Sequence, residues 1–146
     1  MGFLTDMQGR IVGLDTAPLI YFIEKHKAYH PLLRPFFAAL ADGNFTVATS
    51  TITLVETLVH PIRTDHRELA QRYQEILLNA PHITMYDLSP DIAQKAAGIR
   101  ADYGIHTPDA IQLATAVYAG ATFFLTNDRA LLKFPQLKVL VVDDLA

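Results

Sequence analysis

The stretch that decides the fold runs from residue 106 to residue 129 and reads HTPDAIQLATAVYAGATFFLTNDR. Its composition predicts a helix that begins beside one carboxylate and a strand that ends beside another. Thr107 is a favourable N-cap, and Pro108 suits the first helical position, where a missing N–H costs nothing. Asp109 therefore falls in the first turn of the predicted helix.

The predicted helix and strand bring two acids to the same edge of the fold. Gly120 is expected to end the helix, and residues 121–125 are typical of a short buried strand. The helix carries the chain about 15 Å away, and the strand returns it by about 17 Å. Asp109 and Asp128 are therefore expected to lie close together. Two neighbouring carboxylates need a cation or a shared proton.

Length and composition predict one globular domain that spans residues 1–146. Of the 146 residues, 51% are hydrophobic and 18% are charged, which excludes disorder as the main state and provides for a sizeable core. No apolar run approaches the roughly 18 residues that a membrane span needs. The chain has no cysteine, so it has neither a disulfide framework nor a thiolate zinc site. We expect a cytoplasmic protein with no membrane segment.

The charge balance does not decide the partner. Twelve basic residues against 15 acidic ones give a net charge of −3, which argues weakly against nucleic acid, because phosphate binding usually requires excess positive charge. If four of the carboxylates bind metal, about 11 acidic residues remain against the 12 basic ones, and the argument disappears.

Strands and helices alternate along the chain, and this alternation predicts the fold class. Buried strands are expected at residues 11–14, 45–49, 82–86, 121–125 and 137–142. Helices are expected at residues 16–24, 31–41, 51–59, 65–79, 90–103 and 108–119, with a short one at 127–132. Such an order is typical of a three-layer α/β/α domain with a largely parallel central sheet.

Several local signals refine these boundaries. Pro35 predicts a late start or a kink in the second helix, and Pro61 is expected to end the third. Asp65 and Glu68 have the spacing of a capping box for the fourth helix. Gly13, inside the first strand, is interpreted as a position where another backbone approaches closely.

Three aspartates are predicted to lie at one edge of the sheet. In open α/β sheets, ligand-binding groups gather beyond the carboxyl ends of the strands. Asp15 directly follows the first strand, Asp128 follows the fourth, and Asp109 begins the helix that precedes the fourth. Taken singly, each of these acids could be a helix cap or a partner of a helix dipole. Taken together, they are hard to explain as caps.

Glu56 is a fourth candidate. It lies in the predicted third helix within an apolar stripe formed by Ile52, Val55 and Val59. An unpaired carboxylate on an apolar face costs several kcal/mol unless a charged group meets it. A metal ion is one such group, and a buried arginine or lysine is the alternative.

The four acids predict a site for a hard cation. A set of oxygen ligands without cysteine or an evident histidine partner favours Mg²⁺ or Mn²⁺. A cation of this kind can polarise a phosphoryl oxygen, generate a hydroxide and stabilise a leaving oxygen. The sequence therefore points to phosphate chemistry.

The blocks that carry these acids resemble those of the PIN domain family in order and spacing. They are Asp15-Thr16, Thr53-Leu54-Val55-Glu56, Pro108-Asp109-Ala110-Ile111 with Ala114-Thr115-Ala116, and Leu125-Thr126-Asn127-Asp128. The resemblance covers essentially the whole chain. It implies a metal-dependent ribonuclease that hydrolyses RNA phosphodiester bonds with Mg²⁺ or Mn²⁺. The implied catalytic and metal-binding residues are Asp15, Glu56, Asp109 and Asp128.

The resemblance also implies partners and supporting residues. Small stand-alone PIN domains are commonly toxins of toxin–antitoxin pairs, similar to the VapC group, and often homodimers. An RNA substrate, a cognate antitoxin and a second copy of the chain are therefore expected. The candidate supporting residues beside the acids are Thr16, Thr126, Asn127 and Arg129, of which Arg129 could contact the scissile phosphate or pair with an acid of the site.

The sequence contains no concentration of basic residues that would predict a groove for RNA. The basic residues nearest the predicted site are Lys25, Lys27, Arg34, Arg63 and Arg67, which could contact RNA phosphates or form an ordinary solvated face.

Three alternatives from other classes remain open. A phosphatase of the haloacid-dehalogenase type would need an acid two residues after Asp15, where the chain has Ala17. A receiver-like signalling domain would need an early acidic pair and a lysine after the last strand, and neither is evident. A catalytically weak PIN-like module could act only by binding RNA or protein, although all four acids are present.

Overall fold

Five parallel strands form the centre of the fold in the computed structural model, which describes residues 2–146. In the sheet they follow the order β3-β2-β1-β4-β5, and every neighbouring pair is parallel. The strands are β1 (Ile11–Leu14), β2 (Thr46–Ser50), β3 (Ile83–Tyr86), β4 (Phe123–Thr126) and β5 (Lys138–Val141). With helices on both faces of this sheet, the predicted three-layer α/β/α fold is confirmed.

Within residues 2–146 the strands are accompanied by seven α-helices and two short 3₁₀ helices. The α-helices are α1 (Gly2–Met7), α2 (Thr16–Ile23), α3 (His30–Ala41), α4 (Thr51–Arg63), α5 (Arg67–Asn79), α6 (Pro90–Tyr103) and α7 (Thr107–Tyr118). The 3₁₀ helices span Arg129–Lys133 and Val142–Leu145. The sequence patterns did not predict α1. In this part of the chain, no helix combines the length and the apolar character that crossing a bilayer requires.

The sheet separates two hydrophobic cores, and β4 contributes to both. Phe123 and Leu125 pack into the core formed with α2, α3 and α5, whereas Phe124 points into the core formed with α6 and α7. Successive side chains of a strand face opposite sides of the sheet, so a strand covered on both faces is apolar throughout. This burial explains the apolar run Phe123-Phe124-Leu125, whereas the exposed Thr122, which was predicted to belong to the strand, precedes it.

Gly13 allows helix α7 to lie directly against the sheet. A Cβ atom at this position would lie 2.6 Å from Cβ of Ala116 and 2.6 Å from Cδ1 of Phe124. Real Cβ atoms do not approach so closely, which confirms the interpretation of Gly13 as a site of close approach. The depth at which α7 is seated also determines where Asp109, at its start, is held.

Pro61 does not end its helix and Pro35 does not delay the start of its own, whereas the kink predicted at Pro35 as the alternative stays a prediction. Helix α4 continues through Pro61 to Arg63, and α3 begins at His30, so that Pro35 lies inside it without delaying its start. Pro61 is buried on the face of α4 that packs inward. Packing of this ring offsets the single N–H that proline removes near the end of the helix.

Two predicted N-caps are displaced by one residue. His66, rather than Asp65, precedes α5, and Asp65 adopts a left-handed conformation (φ 55°) in which its carboxylate accepts a hydrogen bond from Arg67. His106, rather than Thr107, precedes α7. The Thr107 hydroxyl instead accepts a hydrogen bond from Arg100 at 2.8 Å. In both cases a contact with a nearby arginine uses the side chain that was expected to cap.

Candidate active site

The predicted acids lie where the order of the strands reverses. β1 has β2 on one side and β4 on the other, so the crevice between β1 and β4 at their carboxyl ends is a topological switch point. Ligands of open α/β sheets bind at such points. Asp15 directly follows β1, and Asp128 lies two residues beyond the end of β4.

Asp15 is the most buried of the four acids, with 9% of its surface exposed. Its Oδ1 accepts a hydrogen bond from the backbone N–H of Thr16 at 2.8 Å, and its Oδ2 accepts one from the hydroxyl of Thr126 at 2.7 Å. Burial raises the pKa of Asp15 to about 6, against the lowering effect of these two bonds, and the charges of Asp109 and Glu56 add to the rise.

Thr126 connects Asp15 with the loop that carries Asp128. Its hydroxyl, which is fully buried, donates to Asp15 and accepts the backbone N–H of Asp128 at 3.0 Å. Asp128 is exposed, and its Oδ1 accepts a hydrogen bond from the N–H of Ala130 at 3.0 Å. Asp128 is therefore a cap of the first 3₁₀ helix and, at the same time, a carboxylate at the crevice.

Asp109 lies in the first turn of α7 and is partly exposed. Burial raises its pKa, and the charges of Asp128 and Glu56 raise it further, whereas His106 opposes them. No hydrogen bond from residues 2–146 reaches its carboxylate. Asp109 is thus close enough to two other acids to be influenced by their charges, and its oxygens are free to bind a ligand.

Glu56 borders the crevice, but its predicted surroundings are wrong. The side chain is exposed, and Val55 and Val59 are 61% and 44% exposed rather than packed in a core. The buried face of α4 is formed by Thr53, Thr57 and Pro61, at positions i, i+4 and i+8. Because this inward face carries hydroxyls, the outward aliphatic residues were taken for the core stripe.

A buried hydrogen-bond network holds Glu56 and includes a residue that the sequence interpretation missed. The Thr16 hydroxyl donates to Oε1 of Glu56 at 2.6 Å and lies 3.4 Å from the Thr53 hydroxyl. The amide of Gln112 donates to both hydroxyls, at 2.7 Å to Thr53 and 3.2 Å to Thr16. Only 2% of Gln112 is exposed.

One signal in the sequence could have identified Gln112. It follows Asp109 by three positions, so both side chains share one face of α7. It is also the lone amide in the buried run of residues 110–116. A buried amide needs hydrogen-bond partners, and partners of this kind occur beside a polar site.

Two of the candidate supporting residues contact the second 3₁₀ helix. The guanidinium of Arg129 binds the carboxylate of Asp144 in bidentate fashion, at 2.6 and 3.3 Å. Oδ1 of Asn127 accepts the backbone N–H of Asp143 at 3.1 Å. Arg129 therefore pairs with an acid outside the crevice. Its suggested contact with a scissile phosphate remains a prediction.

No arginine or lysine neutralises the four acids in the part of the chain that the structure describes. The ion pairs there are Arg67–Asp65 and Arg129–Asp144, and neither lies among the four carboxylates. This arrangement removes the alternative in which a buried cationic side chain meets Glu56. The excess negative charge of the crevice is left for a ligand to compensate.

The chemistry of this donor set fits a hard divalent cation. All four groups are carboxylates, the ligands that Mg²⁺ and Mn²⁺ favour. As the side chains stand, no three His, Asp or Glu groups within residues 2–146 are arranged to hold one ion. Mg²⁺ usually retains several waters and takes only one or two carboxylates directly. Four carboxylates that do not all reach one ion are therefore compatible with Mg²⁺.

Two grooves with apolar walls are lined by residues other than these four acids. One, of about 520 Å³, has apolar walls from α2, α3 and α5 that include Phe22, Phe37 and Ile76. The other, of about 480 Å³, lies along the outer face of α4. None of the four carboxylates lines either groove, although Val55 in the wall of the second groove is the sequence neighbour of Glu56.

A comparison with known protein families identifies the class of the protein. The family model described as PIN domain matches residues 12–137, so the chain belongs to the PIN domain family. No curated protein sequence gives a significant match.

Solved structures with the same fold come from toxin–antitoxin systems. VapBC2 from Rickettsia felis, bound to a DNA fragment from its promoter, matches with a TM-score of 0.70 at 23% identity, over 90% of this chain and 98% of that one. A toxin–antitoxin complex from Klebsiella pneumoniae matches with a TM-score of 0.66 at 24% identity, over 92% of this chain and 98% of that one. Mycobacterium tuberculosis VapC20, a toxin that cleaves the sarcin–ricin loop, matches with a TM-score of 0.63 at 18% identity, over 78% of this chain and 86% of that one. At these identities the similarity shows a shared fold.

Proposed function

We propose that this PIN-domain protein is a metal-dependent endoribonuclease that hydrolyses RNA phosphodiester bonds at the crevice between β1 and β4. The observation that carries the proposal is the group of four carboxylates at the switch point. Their charges raise the pKa of Asp15 and of Asp109, and within residues 2–146 no arginine or lysine pairs with any of the four. Clustered acids of this kind are costly unless a cation binds them.

Each acid has a proposed role that follows from its contacts. Asp15, Glu56, Asp109 and Asp128 would hold Mg²⁺ or Mn²⁺ directly or through water. When bound, the ion polarises the phosphoryl oxygen, activates water and stabilises the leaving oxygen. Thr16 and Thr126 keep the Asp15 carboxylate oriented. Within residues 2–146 no hydrogen bond reaches the Asp109 carboxylate, so its oxygens are available to a cation or to the attacking water, and one of the four carboxylates would take the proton of that water.

The relatives support a toxin as the biological role. Those with solved structures include VapBC and other toxin–antitoxin complexes, and VapC20 is a toxin that cleaves the sarcin–ricin loop. We therefore propose that the chain is the toxin of such a pair, that a cognate antitoxin inhibits it, and that it meets its RNA in the cytoplasm. A small antitoxin-like reading frame beside the gene, whose product relieves growth arrest on co-expression, would support this role over that of a housekeeping nuclease.

A homodimer is also part of the proposal. Val55, Val59 and Ile62 form an apolar row on the outer face of α4, and they are 61%, 44% and 66% exposed. Spacings of four and three residues put them on one side of the helix. An exposed apolar row of this kind is typical of a protein interface, and a second copy of the chain would cover it.

The central experiment measures RNA cleavage with Mg²⁺, with Mn²⁺ and with EDTA. We expect cleavage with either metal, loss of it in EDTA, and a fall of at least about 100-fold for Asp15→Asn and for Asp109→Asn. Asp42→Asn is the matched control, because Asp42 is an exposed acid at the end of α3, before β2, on the opposite edge of the sheet. Cleavage that persists in both crevice variants would contradict the proposed site.

A further inference from the structure

Three aromatic rings lie together where the chain leaves α2, and Tyr29 stacks on both of the others, Tyr21 and His26. The ring centroids of Tyr21 and Tyr29 are 4.5 Å apart, those of His26 and Tyr29 are 4.7 Å apart, and those of Tyr21 and His26 are 5.0 Å apart. We call these three side chains the aromatic cluster. Tyr21 and Tyr29 are half-buried, and His26 is exposed. None of the roles assigned above to the site or to the hydrophobic cores requires the His26 ring.

The aromatic cluster lies next to the acidic crevice. The Tyr29 hydroxyl interacts with the side chains of Asn127 and Asp143. Asn127 is the residue between Thr126 and Asp128, so the cluster adjoins the loop that carries one of the four acids. The aromatic cluster is therefore on the β4 side of the crevice, and His26 is its exposed ring.

The local backbone holds the His26 ring in place. Its Nδ1 accepts the backbone N–H groups of Ala28 and Tyr29 at 3.1 and 3.2 Å. In the neutral ring the proton is therefore on Nε2, which leaves a donor on the outer edge. Lys25, the residue after the α2 C-cap, adopts a left-handed conformation (φ 54°), and the N–H of His26 donates to the carbonyl of Tyr21 at 2.8 Å, so the helix ending also fixes the turn.

Lysines flank the exposed ring on both sides. Lys25 and Lys27 are the immediate neighbours of His26 in sequence, and both side chains are exposed. Proteins that bind single-stranded nucleic acid combine a stacking ring with nearby cations that track the phosphates. Although the net charge of the chain is −3, an exposed ring and two lysines occur together here, next to the acids.

We propose that the aromatic cluster is a stacking site for one unpaired base of the RNA substrate, next to the phosphate held at the crevice, with Lys25 and Lys27 contacting the adjoining phosphates. The proposal rests on the proposed ribonuclease function. It specifies the substrate as single-stranded at this position, because bases inside a duplex are not free to stack on a side chain. An exposed ring with a lysine on either side of it in sequence suits an RNA strand better than an apolar peptide segment.

The test uses two substitutions that separate the ring from its hydrogen bonds. His26→Asn removes the ring and keeps an acceptor near the position of Nδ1, whereas His26→Phe keeps a ring and removes the acceptor. Binding is measured without metal, using a single-stranded oligoribonucleotide that contains 2-aminopurine, whose fluorescence is quenched when it stacks. Thermal unfolding of each variant checks that the fold is retained.

We expect His26→Asn to weaken binding by roughly 5- to 150-fold, the range that corresponds to loss of one stacked base, and to abolish the quenching. His26→Phe should retain most of both. In cleavage assays with metal, His26→Asn should raise KM more than it lowers kcat. Lys27→Ala should also reduce the dependence of binding on salt by about 0.7 in the logarithmic slope, unlike Lys95→Ala on α6.

The possible outcomes distinguish this proposal from the ribonuclease function. If wild-type protein cleaves RNA and His26→Asn binds and quenches normally, the stacking site is wrong and the ribonuclease function stands. Equal losses in His26→Asn and His26→Phe would also overturn stacking, because the turn rather than the ring would then matter. If His26→Asn weakens only binding of a protein partner, the cluster is a protein contact and the proposal fails. If wild-type protein neither binds nor cleaves RNA, both proposals fail.

Discussion

Thr126 donates a hydrogen bond from its hydroxyl to Oδ2 of Asp15 at 2.7 Å, although 111 positions of sequence separate the two residues. Both residues are buried, so bulk water does not replace this bond. It stabilises the charged form of Asp15 and so limits the rise that burial causes, which leaves the pKa of Asp15 at about 6. The charge of Asp15 near neutral pH thus depends on Thr126.

Replacing Thr126 with valine should move the pH dependence of metal binding upward. Without the hydroxyl the pKa of Asp15 rises further above 6, so the carboxylate binds a divalent ion only at higher pH. One lost hydrogen bond corresponds to an upward shift of about 0.5–1 pH unit. Calorimetric titrations with Mn²⁺ between pH 5 and 8.5, together with cleavage rates, measure the pH midpoint of metal binding. Thr122→Val, on an exposed threonine before β4, should leave it unchanged. An unmoved midpoint in Thr126→Val would contradict the coupling.

The Asp109→Asn variant should stabilise the metal-free protein while removing its activity. Because the folded-state pKa values of Asp15 and Asp109 are raised, folding favours their neutral forms. The metal-free wild type therefore loses stability as the pH rises from about 4 through about 6. An amide at position 109 removes one of the repelling charges, so Tm in EDTA should increase at pH 8 and change little at pH 4.5.

Metal should reverse this order of stability. Saturating Mg²⁺ binds the folded wild type and raises its Tm by mass action, and Asp109→Asn should gain much less. Asp42→Asn serves again as the control with the same change of charge. If Asp109→Asn is less stable than the wild type in EDTA, Asp109 has a structural role instead of being held ready for a ligand.

Gln112 should affect the site through Glu56. Gln112→Met keeps a similar volume and removes the donor that fixes the Thr16 and Thr53 hydroxyls. We expect metal affinity or activity to fall about 10- to 100-fold, as is typical for residues that orient metal ligands. A double-mutant cycle with Glu56→Gln tests the route. The two effects should be clearly less than additive, and full additivity would show that Gln112 acts elsewhere.

These residues show which parts of the site the sequence could predict. Asp15, Asp109 and Asp128 follow strands or begin a helix, and local patterns locate such positions well. The spacing of Gln112 from Asp109 could have pointed to that residue, but the partners of Gln112 and Thr53 depend on which faces of α7 and α4 meet across the crevice. That pairing is a property of tertiary packing.

The error about α4 has the same physical origin. Its aliphatic residues were assigned to the core, yet the helix turns its threonines inward, where the hydroxyls bond to backbone carbonyls or to site residues. Hydrophobic periodicity gives the buried face correctly when that face is apolar. Local patterns predicted the strands of the sheet, whose two faces are both apolar. They could not predict the order of those strands in the sheet.

Gly13→Ala should destabilise the protein and reduce activity together. The added methyl group would lie 2.6 Å from Ala116, so α7 must move away from the sheet or the strand must shift. Overpacking of this kind costs about 1–3 kcal/mol. Urea unfolding measures the loss, and metal titration measures the displacement of Asp109. Gly98→Ala, where no atom lies within 4 Å of the new methyl group, should be neutral or slightly stabilising. A stable, fully active Gly13→Ala variant would show that α7 tolerates the shift.

Ile62→Glu should convert the proposed homodimer into a monomer. Ile62 is 66% exposed at the end of the apolar row on α4, and an unpaired carboxylate in an apolar interface raises the dimer dissociation constant by well over tenfold. Sedimentation velocity over a range of concentrations measures the change. Leu132→Glu, which alters a leucine that is 48% exposed in the first 3₁₀ helix, is the matched control.

Because the row adjoins Glu56 on the same helix, a dimer would bring the second copy close to the crevice. The Ile62→Glu variant should therefore lose more cleavage of long RNA than of short oligonucleotides. A wild type that is monomeric at all concentrations would contradict the dimer and leave the crevice chemistry unaffected.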